Sequence, residues 1–535
     1  MKTNFKKILS LMLALLIVLG MVACGAEEPA ADAPVSDAPA SDAPAADTPV
    51  EATPSAKDDI VIRLSGEPNT LFGMDASDAN CDLISTQIAE PLFRYTPEHE
   101  IVPAVATAWE YANEEETEIL FTLREGIKFN NGDPVTADDV VFSLEYCINS
   151  SYCANINGSM DHAEKVSENQ VKLVLKYPFA PIIYCFSNRQ CPIISKAAYE
   201  ADPEGFGRAP VTTGPYKVTE WKAGDQIVLD YNEHYWGEAP AIKHATYKII
   251  VDTTSAVVAL EAGDIDYCIS PGTADREILM ANEDIHWCET AQSGTWQIVF
   301  CNFGPFADEN LRKAVAYCIN RDDYVQGCLN GLGEELHMIY SKTAFGYNPE
   351  FKGIEQDLEK AKEYLAAAGY ADGFEFTAYT QESGNYFKIA EVLQAQLSQI
   401  GITMHIEPME RGAYMDFWQS NTHDFGLTFF GNGCAYPDAD LWYTFFHSSN
   451  IGGSRNRQEI NDPKVDELLE AGRFESDPAT REQIYWDLCD YWVNEKAYSV
   501  PLFSSLSCNA SNVNLVGPHE EADGQYYLAD WYWAE

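Results

Sequence analysis

Phe121-Thr122-Leu123-Arg124-Glu125-Gly126-Ile127-Lys128-Phe129 and, one residue on, Asn131-Gly132-Asp133-Pro134-Val135-Thr136-Ala137-Asp138-Asp139-Val140-Val141-Phe142-Ser143-Leu144 carry two hydrophobic periods in a short span. From Glu118 to Arg124 apolar and polar residues alternate, the pattern of a half-buried strand. Asn131-Gly132 is a turn signal. Thr136, followed three residues later by Asp139, is a shortened capping box, and Val140, Val141 and Leu144 then recur at helical spacing, which predicts a helix to about Cys147. A strand that feeds a helix through a tight turn is the unit from which α/β folds are built.

The same switch recurs outward in both directions. Toward the C-terminus, Asp357 caps a helix from Leu358 to Ala368 with Gly369 as its stop, and Ile389, Leu393, Leu397 and Ile400 form an apolar stripe ending at Gly401. Ile402, Met404 and Ile406 then alternate with polar neighbours, so a strand follows. Asp462-Pro463 and Asp477-Pro478 each place a cap before a proline suited to a first helical turn, with Ile484, Leu488 and Tyr491 continuing the second helix. Toward the N-terminus, Ile60 to Leu64 reads as a short buried strand, Gly66-Glu67-Pro68-Asn69 as a loop and Asp82 to Ile88 as a helix. The alternation lacks the steady rhythm of a barrel, and no repeat of solenoid length is visible. Two α/β lobes with mixed sheets are the expected architecture.

The first residues read differently. Lys2, Lys6 and Lys7 precede an apolar stretch from Ile8 to Val22, the order of a secretory signal. It ends in Met21-Val22-Ala23-Cys24-Gly25, which resembles a bacterial lipobox and implies that Cys24 is acylated. The stretch is shorter than the roughly 20 residues of a spanning helix, so anchoring is expected in place of spanning. Residues 24–57 are rich in Ala, Pro and Asp and contain no aromatic residue, the composition of a disordered tether.

The 535 residues carry a formal net charge of −49, which repels polyanions and argues against nucleic acid as a partner. Beyond Cys24, 13 of the 14 cysteines remain, without a Cys-x-x-Cys, and Cys147, Cys318 and Cys489 fall in apolar helical patterns. Most read as small buried hydrophobes; Cys147 with Cys153, or Cys185 with Cys191, are candidate pairs in an oxidising compartment. No Gly-x-Ser-x-Gly elbow or His-Glu-x-x-His helix occurs, the histidines are scattered, and neither catalysis nor a metal is expected. No cofactor is implied.

Several stretches together resemble the peptide- and nickel-type substrate-binding proteins of ABC transporters, extracellular solute-binding family 5. They are Leu92 to Tyr95, Val102 to Ala106 with Trp109, the opening block, Thr213-Gly214-Pro215-Tyr216-Lys217-Val218 with Trp221, Asn232 to Trp236, Ala259 to Asp266 and Leu311 to Arg321. The resemblance implies a periplasmic-binding-protein-like fold (type II, cluster C), with two α/β lobes joined by a hinge and an extra subdomain on the first. It implies a signal at 1–23, lobe I at 58–290 with the extra subdomain at about 91–205, lobe II at 291–500, and a return to lobe I at 501–535. The implied protein is a monomer, lipid-anchored on the extracytoplasmic face, that is not an enzyme. It captures a small solute, foremost a short peptide, and passes it to an ABC permease and through it to ATPase subunits. A non-peptide solute and a sensory receptor are the alternatives.

Candidate ligand contacts are Glu67, Trp296 and Asn302 as a stacking face and an amide, Arg411 as a carboxylate partner beside Arg189, and Asn432, Gly433, Tyr436, Asp438 and Asp440 in the loop that follows Phe429-Phe430-Gly431. In the peptide binders that the loop resembles, an aspartate pairs with the peptide's amino terminus. Gly433 or Cys434 falls at its place here, leaving Asp438 or Asp440 as possible replacements.

Overall fold

The computed structural model describes residues 55–76, 78–96, 100–154, 156–292, 294–419, 426–432, 438–452, 455–518 and 525–535. The signal, Cys24 and nearly all of the tether lie outside these residues, as do Gly433, Cys434 and Tyr436.

Strand Glu118–Leu123 alternates buried and half-buried side chains as its sequence does, and pairs with Ala106–Tyr111 and Gln170–Leu175 in a four-stranded sheet completed by Met160–Ser167. Gly132 turns at φ +90°, a conformation that needs a residue without Cβ. Thr136 then starts helix Ala137–Asn149. Its Oγ1 accepts from Asp139 N at 3.3 Å while Asp139 Oδ2 accepts from Thr136 N at 3.0 Å, so two otherwise unpaired donors of the first turn are satisfied. Val140, Leu144 and Cys147 face Ile119, Phe121, Val171 and Leu173, and the core of this sheet-and-helix layer also takes in Leu441 from far along the chain.

The main sheet has ten strands. On the first-lobe side Asp59–Leu64 lies between His244–Ile249 and Tyr267–Ile269, parallel to both, and Gln226–Tyr231 and Tyr216–Lys222 extend the sheet antiparallel. Ile60, Ile62, Tyr216, Leu229, Tyr247 and Trp531 fill that core. On the other side Thr295–Phe300 pairs with Leu427–Asn432, and Ile298, Phe300, Val315, Leu393, Leu397 and Ile402 form a second core.

The 14-residue strand Ser499–Asn512 joins the two sides. Its first residues pair with Thr295–Phe300 and with Gly333–Glu335; its last pair with Ile285–Ala291 and Tyr267–Ile269. Two successive strands, Ile285–Ala291 and Thr295–Phe300, therefore run back along one long strand, and the chain crosses between the lobes as a narrow ribbon. The fold class is the expected one: mixed α/β, two lobes, no barrel.

The local readings hold where capping decides them. Asp357 caps Leu358–Ala367, Asp462 caps Pro463–Phe474 and Asp477 caps Pro478–Asp490. Helix Gly384–Ser398 is followed by Gly401 at φ +86° and by strand Ile402–Met409, parallel to Phe374–Gln381. All 12 described cysteines are free thiols, including both expected pairs.

Candidate functional site

Parallel strands offer ligands the crevice beyond their carboxyl ends. Here those ends are Leu64, Ile249 and Ile269, and one buried cation organises the loops that leave them. Arg63, 1% exposed, donates from Nε to Ile250 O at 2.9 Å, from NH1 to Ser270 O at 2.9 Å and from NH2 to Val251 O at 3.2 Å. Ser270 sits at φ +51° and donates its backbone N–H to Asn509 Oδ1 of the crossing strand at 3.2 Å, so the rim is tied to the hinge ribbon. Glu67 lies in the loop after Leu64. Trp221 Nε1 donates to one of its oxygens at 2.9 Å and Gly224 N to the other at 3.0 Å, which fastens the loop to the hairpin formed by Tyr216–Lys222 and Gln226–Tyr231.

On the second lobe, Thr295 stands opposite Asn432 and Trp296 opposite Gly431. Trp296 is packed on several sides. Phe503 stacks at 6.1 Å, Tyr386 meets it edge-on at 5.0 Å, and a Cβ on Gly431 would fall 2.7 Å from its ring. The indole is thus a rim residue of the second core, and the stacking face expected for a ligand is largely taken by protein. Asn302 is not beside it. Six residues further along an extended chain amount to about 20 Å, and Asn302 is bound to the next segment, N to Gln458 O at 2.7 Å and Nδ2 to Glu459 O at 3.3 Å. The expected pairing of Trp296 with Asn302 around one ligand is corrected by this separation.

Arg411 opens helix Arg411–Gln419 and is exposed. Burial pushes the Tyr386 phenol up and the Arg411 charge draws it back, and Tyr414 of the same helix lies 6.2 Å from the Tyr386 ring. Among the described residues no acidic group lies within ion-pair distance of Arg411. Arg189, the other candidate, pairs with Asp82 at 2.8 Å. The structure therefore brings together Trp296 and the backbone of Asn432 on one strand pair, and the helix that Arg411 opens reaches that corner through Tyr414, which packs on Tyr386 against Trp296.

The loop after Asn432 re-enters the described residues at Asp438, and there the two aspartates are committed. Arg481 meets Asp438 through NH1 to Oδ2 at 2.7 Å and NH2 to Oδ1 at 2.6 Å. Arg473 meets Asp440 through Nε to Oδ1 and NH2 to Oδ2, both at 2.8 Å. Asp438 and Asp440 are 1% and 0% exposed. Both forks are bidentate, and burial leaves the carboxylates no face for a solute, so Asp438 and Asp440 are anchors of the loop and not replacements for an acidic clamp.

The sequence reading missed Arg473 and Arg481. Two acids separated by one residue in an apolar segment require cations once buried, but which of the 34 basic residues supplies them depends on helices that begin 23 or more residues later. It also missed a buried polar row behind the strand ends: Ser499 Oγ donates to Gln297 Oε1 at 2.7 Å, Trp492 Nε1 to Ser499 Oγ at 2.8 Å and Gln458 Nε2 to Thr428 Oγ1 at 3.0 Å.

The helices bearing these arginines also touch the four-stranded layer. Ala180 N donates to Arg473 O at 3.0 Å, Ser476 Oγ to Glu116 Oε1 at 3.1 Å, and Tyr177 packs edge-on against Phe474 at 6.4 Å. A cavity between them is lined by Trp109, Tyr111 and Tyr184 on one side and Phe345 and Arg481 on the other. Among the described residues no group of three or more His, Cys, Asp or Glu side chains is arranged to hold a metal ion, and no helix is long and apolar enough to cross a membrane.

Residues 100–453 match the family model of bacterial extracellular solute-binding proteins, family 5. The probable D,D-dipeptide-binding periplasmic protein DdpA of Escherichia coli is 26% identical over 474 residues, covering 86% of this chain and 91% of that protein. The oligopeptide-binding protein AppA of Bacillus subtilis is 27% identical over 514 residues, covering 90% and 92%. Among solved structures, HbpA2 from Haemophilus parasuis superposes with a TM-score of 0.82 over 89% of this chain and 100% of that one; at 23% identity the likeness concerns the fold.

Proposed function

Because the chain belongs to the bacterial extracellular solute-binding proteins of family 5, we propose that it is the substrate-binding component of an ABC importer, capturing a short peptide between its lobes and delivering it to the permease. The family consists of solute-binding proteins, and two curated relatives that match most of the chain are named for a dipeptide and for oligopeptides. The observation that carries the reading is the ribbon of Ile285–Ala291, Thr295–Phe300 and Ser499–Asn512. It joins two separately cored lobes through few strands, which is what hinge closure requires. A solute that touches both lobes only when they are closed stabilises that state; a preference of about 10⁴-fold moves the population from roughly 1% to 99% closed.

In this reading lobe I is 58–290 with its subdomain at about 91–205, lobe II is 291–500, and 501–535 returns to lobe I. Glu67 shapes the first-lobe rim, and Asn432, Gly433 and Tyr436 are assigned to solute contact in the segment that precedes Asp438 and Asp440. Arg411 receives the peptide's terminal carboxylate through two hydrogen bonds. Residues 1–23 direct export, Cys24 is acylated, and the tether holds a monomer at the membrane for docking on the permease; Cys24→Ala releases the protein from the membrane fraction if this is correct.

Calorimetric titration of the purified protein with peptides of two to five residues, followed by solution scattering, tests the function. Saturable binding with a smaller radius of gyration is expected, and co-purification of a sugar or metal complex with no peptide affinity overturns the peptide reading. Arg411→Ala is expected to weaken binding of free-acid peptides by about 10-fold or more, the loss of a charge-assisted hydrogen bond, while leaving C-terminal amides unchanged.

A further inference from the structure

None of the residues that line the cavity between the four-stranded layer and the helices bearing Arg473 and Arg481 is among those assigned to the solute. Its walls are largely aromatic. Trp109, on the edge strand Ala106–Tyr111, stands edge-on to Tyr111 at 5.4 Å, and Tyr184 completes that side. Phe345 lies on the other side, with the Arg481 guanidinium over its ring at 4.7 Å. Trp109 is 39% exposed, so the aromatic surface that best attracts a cation is left open. The cavity measures about 240 Å³. An apolar cavity of about 150 Å³ holds benzene, so this one has room for a ring and a short chain.

Two features fix the charge of an occupant. The positive wall residue is already matched: the Arg481 guanidinium holds both oxygens of Asp438, donates from Nε to Gly472 O at 2.7 Å and from NH2 to Tyr485 OH at 3.0 Å, and so brings no net charge to the cavity. The negative wall residue is not. Glu475 lines the cavity half-buried, and its Oε1 accepts the backbone N–H of Asp477 at 2.8 Å. Its neighbour Ser476 donates to Glu116 Oε1 at 3.1 Å, which brings a second carboxylate to the same junction. Among the described residues no basic side chain pairs with Glu475 or Glu116. Aromatic rings beside uncompensated negative charge attract an organic cation and repel an anion.

We propose that this cavity is a second binding site, separate from the solute crevice, for a small organic ammonium ion with an aromatic body. The ring packs among Trp109, Tyr111, Tyr184 and Phe345, where edge-on and offset contacts favour another ring, and the ammonium group donates to the Glu475 carboxylate. The site is independent of the solute reading, because its occupation requires no peptide.

The test is calorimetric titration of the purified full chain, without peptide and at low ionic strength, with 2-phenylethylammonium. One saturable site with a Kd of about 1 mM or below is expected. The uncharged 2-phenylethanol and the anionic 3-phenylpropanoate should bind at least about 5-fold more weakly. Trp109→Ala is expected to weaken the ammonium probe by about 5-fold or more, and Trp109→Phe to restore most of that loss. Glu475→Gln keeps the acceptor for Asp477 N and removes the charge; it should cost roughly 3-fold, a difference that shrinks as salt is added. No saturable binding up to about 10 mM probe, equal affinity for the three probes, or wild-type affinity in either Trp109→Ala or Glu475→Gln overturns the proposal. Trp109 sits half-open on an edge strand, so its loss leaves no buried void; should Trp109→Ala fail to fold even so, Glu475→Gln and the three probes decide.

Discussion

Asp438 and Arg481 show what a single buried pair does for this protein. Burial acts against the Arg481 charge, and the Asp438 carboxylate outweighs it, holding the guanidinium protonated well above its ordinary range. Asp438→Asn removes that countercharge and leaves a buried cation with weak acceptors. The expected loss of stability is about 3–5 kcal/mol, read as a lower urea midpoint, whereas the double change Asp438→Leu with Arg481→Met recovers most of it. A loss below about 1 kcal/mol for Asp438→Asn means that the pair is not what holds the loop. Glu90 poses the opposite case, a buried carboxyl without an ion pair among the described residues. Burial raises it from 4.5 to about 7, while hydrogen bonds from Trp236 Nε1 at 2.6 Å and Tyr235 OH at 3.1 Å draw it back only in part. The folded protein holds this proton more tightly than the unfolded chain does. The group's stabilising share is accordingly complete below about pH 4.5 and is lost as pH rises toward about 7, amounting to about 3 kcal/mol. Glu90→Gln removes that slope. Denaturation curves of the two proteins measured from pH 4.5 to 8 should diverge through this window and run parallel above it; curves parallel throughout sink the assignment.

At the scale of elements, strand Leu427–Asn432 is shaped to its neighbour. Gly431 lies against the Trp296 ring, and a methyl group there would meet ring carbons at 2.7 and 2.8 Å. Gly431→Ala is expected to cost about 1–3 kcal/mol by overpacking, and much of that loss should vanish when Trp296→Ala opens the space. A double-mutant cycle by chemical denaturation measures the coupling, and simple additivity contradicts the packing argument. The contrast with the caps explains what the sequence could disclose. Thr136 with Asp139, Asp357, Asp462 and Asp477 act within one helical turn, so their roles are written in adjacent residues. Trp296 against Gly431 and Asp438 against Arg481 join residues tens to more than a hundred positions apart, and composition alone does not choose among partners. The crossing strand is the extreme case. Ser504, Ser505, Ser507 and Asn509 are poor strand formers, yet Ser499–Asn512 is the longest strand described, because neighbours along its length supply the hydrogen bonds that propensity does not. The lobes and the existence of a hinge were legible through resemblance and local pattern; the strand pairings that build the hinge were not.

For the molecule as a whole, closure must break and remake contacts away from the ribbon, and the four-stranded layer supplies them. Ala180 to Arg473, Ser476 to Glu116 and Tyr177 to Phe474 join that layer to the two helices whose arginines hold Asp438 and Asp440. A solute seated against the anchored loop and these contacts on the same helices thus bear on one pair of elements, and contacts made only in a closed arrangement would favour it over an open one. Phe474 is the latch residue best suited to a test, since its ring is 44% exposed and its removal leaves no buried cavity. An edge-on aromatic pair contributes about 0.5–1.5 kcal/mol beyond its buried area. If the contact exists only in the closed state, Phe474→Ala shifts the free protein toward the open state and weakens peptide binding by roughly 2- to 10-fold. Unfolding midpoints should change little, because an exposed ring on a helix end contributes little to either core. Scattering from the ligand-free variant should show a larger radius of gyration than wild type, with the two curves converging at saturating peptide. An unchanged free-state radius together with an unchanged affinity refutes the latch and leaves closure to the solute alone.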